Sequence, residues 1–154
     1  MKDFAILQAG TSHRDCLLAM FEEFYASEAV LQPIPKEYHL RALEELFSPR
    51  SLQKCFVFEA GGTAAGYALL SCKFSHEAGG MELWLEEFYV REACRNQGLG
   101  QSFLRFLTRL QEQEGICRLR LEVEPENFRA ARLYESFGFA PLPYAQMSRK
   151  GDFT

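Results

Sequence analysis

The sequence has no apolar run approaching the roughly 20 residues that a membrane-spanning helix needs. Its first residues, 1–6, lack the hydrophobic core and the small-residue cleavage site of a signal peptide. It also has no block of clustered lysines and arginines, and its formal net charge is −4. Because phosphate backbones require such clusters, we expect no nucleic-acid partner. We also expect no membrane partner and a cytoplasmic location.

Paired cysteines are also missing. The five cysteines occur singly, and no Cys-x-x-Cys pair or neighbouring histidine group indicates a metal site. An odd, unclustered set is typical of reduced thiols that act as small apolar side chains. Cys94 lies beside a glycine-containing loop, but a nucleophilic role would need a base nearby, and all three histidines are remote in sequence. We therefore expect neither a thiol nucleophile nor a metal.

The chain has the size and apolar content of one compact domain, 1–154: it is 47% hydrophobic and 25% charged. Periodicity and turn residues predict strands at 4–7, 55–60, 63–74, 81–90, 118–124 and 139–150, the last weakened by two prolines. Helices are predicted after Thr11-Ser12, from Pro35, over 99–113 and after Asn127. This order predicts a mixed sheet with helices on both faces.

The most informative motif is Arg95-Asn96-Gln97-Gly98-Leu99-Gly100, between a predicted strand and a predicted helix. A strand that turns through glycines into a helix leaves backbone N–H groups unpaired at the helix start, and these groups bind pyrophosphate. The spacing is neither that of a Walker loop nor that of the dinucleotide fingerprint. The motif indicates a nucleotide-like cofactor, although glycines at such a turn also serve backbone geometry alone.

A second motif, Asn-x-x-Ala-x-x-x-Tyr from Asn127 to Tyr134, follows the strand after that helix and ends in Gly138-Phe139. In order and spacing the two motifs resemble those of the GNAT (N-acetyltransferase) superfamily. The stretch 85–90 before the loop is closest to polyamine and diamine acetyltransferases. The resemblance implies the α/β GNAT fold: a mixed, mostly antiparallel sheet of six to seven strands, helices on both faces, and a V-shaped splay between the fourth and fifth strands, 81–90 and 118–124.

The resemblance also implies acetyl-CoA as cosubstrate. It assigns cofactor binding to Phe88, Tyr89, Val90, Arg95, Asn96, Gln97, Gly98, Leu99, Gly100, Gln101 and Asn127. In the family, backbone N–H groups at 88–90 stabilise the oxyanion, because a bulge or splay leaves them without strand partners. Asn127 is at the same time the expected N-cap of the last helix.

Acetyl transfer from a thioester to an amine requires a neutral amine and a proton for the departing thiolate. By resemblance Tyr134 supplies that proton, and a phenol with a pKa near ~10 is protonated at neutral pH; the alternative is a core tyrosine. By resemblance Glu86 approaches the amine, with Glu87 second, since strand alternation would send the two to opposite faces. Salt bridges from these acids to Arg118 or Arg120 are the structural alternative.

The residues and the resemblance together predict an acyltransferase. It would be an acetyl-CoA-dependent N-acetyltransferase that moves the acetyl group directly, in a ternary complex, to a primary amine of a small molecule such as a polyamine. The segment 22–38 is the expected substrate side. Two alternatives are open: a non-catalytic acyl-CoA-binding sensor module, and an acetyltransferase acting on a protein or peptide amine. A homodimer is possible, since GNAT proteins often dimerise.

Overall fold

A computed structural model describes residues 3–152. The chain divides into two compact units, Met1–Glu122 and Val123–Thr154. The elements of the first unit are β1 Ala5–Gln8, α1 Arg14–Tyr25, α2 Lys36–Leu46, β2 Gln53–Ala60, β3 Thr63–Ser75, β4 Gly80–Val90, α3 Leu99–Glu114 and β5 Arg118–Leu121. The second unit contains the helix α4, Phe128–Ser136. In the described part of the chain, no helix is long and apolar enough to cross a membrane.

The strands of the first unit form one sheet in chain order, β1-β2-β3-β4-β5. The first four strands pair in antiparallel fashion, and β5 is parallel to β4. The β2–β3 hairpin turns at Gly61 and Gly62, whose φ angles are 57° and 78°. Two consecutive left-handed residues are what a tight hairpin requires, and glycine adopts them without steric cost. The mixed, mostly antiparallel sheet and this hairpin are confirmed.

The number of strands differs from the prediction. Within residues 3–152 the sheet has five strands, so the prediction of six to seven is wrong. Residues 139–150, predicted as the final strand, contain no strand. Pro141 and Pro143 lack the N–H donors that strand pairing needs, and they lie near the start of this segment. The local apolar pattern therefore does not produce a sixth strand.

Helices cover both faces of the sheet, as predicted. On one face, α1 and α2 bury Leu17, Met20, Phe21 and Leu43 against inward-facing strand side chains. On the opposite face, the Phe103 ring of α3 packs on strand phenylalanines, for example with its centroid 5.2 Å from that of Phe58. Each such side chain contributes roughly 1.5–3 kcal/mol by burial, so the two layers hold the sheet between them.

The β3–β4 ladder contains one extra residue. Leu69 is opposite Glu87, but the next residue of β3, Leu70, is opposite Leu85. Glu86 therefore has no partner on β3 and forms a β-bulge. A bulge bends its strand and interrupts the alternation of side chains.

The end of β4 is tied to α1 through Arg91. Its Nε and Nη2 donate to the two carboxylate oxygens of Glu23 at 3.0 and 2.8 Å, and its Nη1 donates to the Ala64 carbonyl at 2.9 Å. The Tyr89 hydroxyl also donates to Glu23, at 3.0 Å. The hydrogen bond from Arg91 holds the pKa of Glu23 below its usual value. Bidentate, charge-assisted bonds are strong and directional, so they fix α1 against the end of β4.

Gly66 in β3 provides a test of how closely β3 packs against the end of β4. A Cβ there would collide with the backbone oxygen of Tyr89 and lie 3.0 Å from the Val90 Cα. Because backbone atoms cannot move aside as a flexible side chain does, we expect Gly66→Ala to lower the free energy of unfolding by about 2–3 kcal/mol. Gly10→Ala is the matched control, since nothing lies within 4 Å of its added Cβ. Denaturant unfolding that finds Gly66→Ala as stable as Gly10→Ala would contradict the close approach of β3 to β4.

Candidate active site

The bulge brings two carboxylates to one face of the sheet. Leu69 is opposite Glu87, and Ser71, two residues along β3 and so on the same face, donates from Oγ to Glu86 Oε1 at 2.8 Å. The prediction that Glu86 and Glu87 point to opposite faces is therefore wrong, because the extra residue removes the alternation between them. Both side chains lie on the face that α1 and α2 cover.

Glu87 is half-buried and accepts hydrogen bonds from two tyrosines. The Tyr25 hydroxyl donates to Oε2 at 2.9 Å and the Tyr67 hydroxyl donates to Oε1 at 3.2 Å. Burial raises the pKa of Glu87, while the two hydrogen bonds act in the opposite direction. Burial, and then the charge of Glu87, raise the pKa of both phenols, which keeps them protonated donors. The carboxyl group is thus fixed in orientation and has an increased affinity for a proton.

Glu86 is exposed and forms no salt bridge with Arg118 or Arg120. Those arginines instead face Glu82, a completely buried carboxylate of β4. Arg118 Nε donates to Glu82 Oε2, and Arg120 Nη1 lies 4.0 Å from Oε1. The ion pairing that was the structural alternative for the predicted acids is therefore made by a different residue, and Glu86 is left with Ser71.

Three site residues were missed from the sequence: Tyr25, Tyr67 and Glu82. The period-two pattern of β3 places Tyr67 on the same face as Leu69, which was a usable signal once the register was known. Tyr25 falls in the segment 22–38 expected on the substrate side, but no sequence signal predicts its contact with Glu87, which spans 62 residues. The alternation of Arg118 and Arg120 indicated that a partner carboxylate lies on the neighbouring strand, but not which one.

A cleft of about 220 Å³ opens where α1 ends and α2 begins. It is lined by Glu22, Tyr25, Ala26, Pro33, Ile34, Lys36 and His39. These residues lie within or next to the segment 22–38 that was predicted as the substrate side. The ring centroid of Tyr25 is 5.2 Å from that of His39, and its hydroxyl reaches Glu87. One side chain thus belongs both to the cleft and to the carboxylate site.

The three backbone N–H groups predicted at 88–90 do not point the same way. Arg91 N donates to Ala65 O of β3 at 2.8 Å. Because antiparallel hydrogen bonding alternates along a strand, the Tyr89 N–H is also directed to β3. The N–H groups of Phe88 and Val90 are directed to the other edge of β4.

On that other edge, β5 pairs with β4 only from Glu82 to Leu85. β4 continues to Val90, whereas β5 ends at Leu121. Within the described residues, no strand pairs with Phe88 or Val90 on this side. Two of the three predicted oxyanion donors therefore lie along an edge without a strand partner.

The loop after β4 approaches α3 through left-handed residues, Asn96 with φ 59° and Gly98 with φ 82°. The earliest carbonyl to accept a helical bond is that of Gly98, from Ser102 N at 3.0 Å. The N–H groups of Leu99, Gly100 and Gln101 precede that bond and have no helical carbonyl to donate to. The Leu99 side chain is buried and anchors this end of the helix in the core. This positive end of a helix suits a pyrophosphate.

Two side chains hold the loop in place. Arg95 Nε donates to the Val90 carbonyl at 2.9 Å, and Gln97 Nε2 donates to the Ala93 carbonyl at 3.0 Å. The Gln97 Oε1 is buried without a hydrogen-bond partner. The predicted cofactor residues thus form a turn over 95–98 that leads directly into the first residues of α3, 99–101.

The two predicted site residues of the second unit lie on α4. Asn127 is its N-cap, as predicted, because Oδ1 accepts from Ala130 N at 3.1 Å. Tyr134 is half-buried, with its ring centroid 5.9 Å from that of Phe139. Burial raises the pKa of Tyr134, so its hydroxyl stays protonated at neutral pH. Tyr134 thus has both the packing contact expected of a core tyrosine and the proton expected of an acid.

The sequence model of the acetyltransferase (GNAT) family matches residues 17–139. A thialysine N-epsilon-acetyltransferase from Bos taurus is 30% identical over 109 residues, which are 71% of this chain and 59% of that protein. A spermine/spermidine N(1)-acetyltransferase from Bacillus subtilis is 31% identical over 81 residues, which are 51% of this chain and 53% of that protein. The chain spans little more than half the length of these relatives.

A solved aminoglycoside N-acetyltransferase in complex with CoA superposes with a TM-score of 0.76 at 20% identity, covering 97% of this chain and 96% of that one. At this identity the likeness concerns the fold, and it confirms the α/β GNAT architecture. The family model covers most of the chain and includes the strand, the loop and the last helix on which the resemblance was based. The chain therefore belongs to the GNAT acetyltransferase family.

Proposed function

We propose that this chain is an acetyl-CoA-dependent N-acetyltransferase whose acceptor is a primary amine of a small molecule, a class that includes polyamines. The observation that carries the proposal is the bulged carboxylate pair, Glu86 and Glu87, at the point where β4 loses its partner strand. The names of two relatives support an amine acceptor, since they specify thialysine and spermine or spermidine.

The proposed CoA site rests on backbone N–H groups at the start of α3. N–H groups from Gln97 to Gln101 would hold the pyrophosphate at the start of α3. The end of β5 pairing at Leu85 supports a V-shaped opening between β4 and β5, in which the pantetheine arm would lie. Asn127 would contact that arm by the motif it shares with the family.

The reaction forms a C–N bond and breaks the C–S bond of the thioester that acetyl-CoA supplies. Glu86 attracts the ammonium form of the acceptor and takes the proton that the amine must lose. The Phe88 and Val90 N–H groups donate to the acetyl oxygen as negative charge develops on it. Tyr134 gives the departing sulfur its proton. Glu87 adds a second negative charge beside Glu86, and its hydrogen bonds from Tyr25 and Tyr67 hold it in position.

The loop assignment is tested by Gly98→Asp. A carboxylate at this position would repel the pyrophosphate and block its approach to the backbone, so we expect CoA binding to be lost. Gly98→Asn is the matched control, because it has the same size and tolerates the left-handed backbone but carries no charge. Calorimetry should find that Gly98→Asn binds CoA more tightly than Gly98→Asp. Wild-type affinity in a folded Gly98→Asp protein would refute the assignment.

The role of Tyr134 as proton donor to the departing sulfur is tested by Tyr134→Phe, which keeps the aromatic ring and removes the hydroxyl. We expect turnover to fall by roughly 10²-fold while the affinity for CoA changes little. The rates should be compared under conditions in which the chemical step limits turnover. If turnover is unchanged there, Tyr134 is a packing residue.

The role of Glu86 is tested through the pH profile. A primary amine has a pKa near ~10, so the rate should rise with pH between about 7 and 9 as the neutral amine becomes available. Glu86→Gln should lower the rate and weaken this dependence. Glu87→Gln serves as the comparison, because it removes the neighbouring charge but leaves Glu86. If only Glu87→Gln alters the profile, the proton acceptor is Glu87 and not Glu86.

A further inference from the structure

A cationic cluster lies beside the carboxylate pair on the same face of the sheet. Arg120 of β5 is opposite Trp84 of β4, and its guanidinium lies 4.3 Å from the centroid of the indole. Trp84 is opposite Ser71, whose hydroxyl contacts Glu86. Arg118 of β5 is two residues before Arg120 and therefore shares its face. Trp84 thus separates an acidic region from a basic one.

The basic region contains more positive than negative charge. Lys73, Arg118 and Arg120 share the buried carboxylate of Glu82, with Lys73 Nζ 3.4 Å from Oε1. The only further acid paired with this cluster in the described residues is Glu77, 3.6 Å from Arg118. Arg120 has the longest of these contacts, 4.0 Å, which exceeds a hydrogen bond. Three cations therefore share two carboxylates, and Arg120 is the least engaged.

From this layout we infer that the acceptor is an amino acid such as lysine, a terminal amine whose carbon chain ends at a carboxylate that Arg120 binds. The inference rests on the proposed function, because it takes the amine to lie at Glu86 and Glu87. A guanidinium binds a carboxylate through two parallel N–H groups, and stacking on Trp84 would hold its plane in position.

The distance between Glu86 and Arg120 determines how long the carbon chain of the acceptor must be. Two residues along a strand and one step across the sheet separate the Glu86 and Arg120 Cα atoms by about 8 Å. An extended chain of six single bonds of about 1.5 Å spans roughly 7 Å from amine to carboxylate, the reach of lysine. The aliphatic part of such a chain would pass over the Trp84 ring.

The same charges act against a polyamine. A second ammonium group with no carboxylate beside it, as in cadaverine, would meet Arg120 and Lys73 without offering them an anion. Like charges at close range in a partly buried site repel, and such repulsion is a common source of specificity. The site therefore favours a carboxylate at the far end of the acceptor.

Lysine and cadaverine form the matched pair for the test, because they share the chain and the terminal amine and differ in the carboxylate. We expect kcat/KM for lysine to exceed that for cadaverine by at least about tenfold. Arg120→Gln should lower kcat/KM for lysine by about 10- to 100-fold. It should not lower the value for cadaverine, because it removes one of the positive charges that repel the second ammonium group. Arg120→Lys should retain part of the preference for lysine over cadaverine, since it keeps the positive charge but lacks the two parallel N–H groups of the guanidinium. Arg109→Gln, on the exposed side of α3, is the control for loss of one positive charge.

Three results are decisive. Transfer to cadaverine or spermidine in preference to lysine overturns the inference, and so does an equal loss for lysine and cadaverine in a folded Arg120→Gln protein. Both leave the proposed function intact. If the wild-type protein binds acetyl-CoA but acetylates none of the three amines, the proposed function fails and the inference fails with it. The wild-type preference is itself a test, so the inference is refutable even if an Arg120 variant does not fold.

Discussion

The arrangement of the candidate site depends on one extra residue in β4. Hydrogen bonds to β3 fix the register on both sides of Glu86. Removal of the extra residue would shift the pairing by one and turn every following side chain of β4 to the other face. As a result Glu86 and Glu87 both lie on the face of the sheet that α1 and α2 cover. Tyr67, on the neighbouring strand, is close enough for its hydroxyl to donate a hydrogen bond to Glu87. The bulge follows directly after the last β4–β5 pair, Leu85 and Leu121, and beyond it no strand of residues 3–152 pairs with this edge of β4.

Features set by local chemistry were predictable from the sequence. Gly61-Gly62, Gly115 and Gly138 adopt the left-handed backbone that a turn or a helix end needs, and Asn127 caps its helix with its own side chain. Each of these requires only a few neighbouring residues. The predicted strand at 139–150 failed because its apolar pattern is local, whereas strand formation requires a partner and free N–H groups.

The residues of the candidate site could be proposed from the sequence, but their relative geometry could not. The loop and the two acids could be named, yet their relative directions depend on a bulge that only the pairing with β3 reveals. Glu82 and Tyr25 were missed because their roles come from contacts with residues distant in sequence. The single domain 1–154 and a homodimer stay predictions.

The bonds from Arg91 to Glu23 have a consequence for sequence variation in the segment that follows α1. They fix the last turns of α1, and the buried Leu43 fixes α2, so the exposed segment 26–35 between them is a short insert with anchored ends. Sequence drift in such an insert reshapes the cleft without displacing the loop that follows β4. If the proposed function holds, natural variation or a grafted segment in 26–35 would change this side of the acceptor site while the loop after β4 and the charged side chains of β5 stay in place.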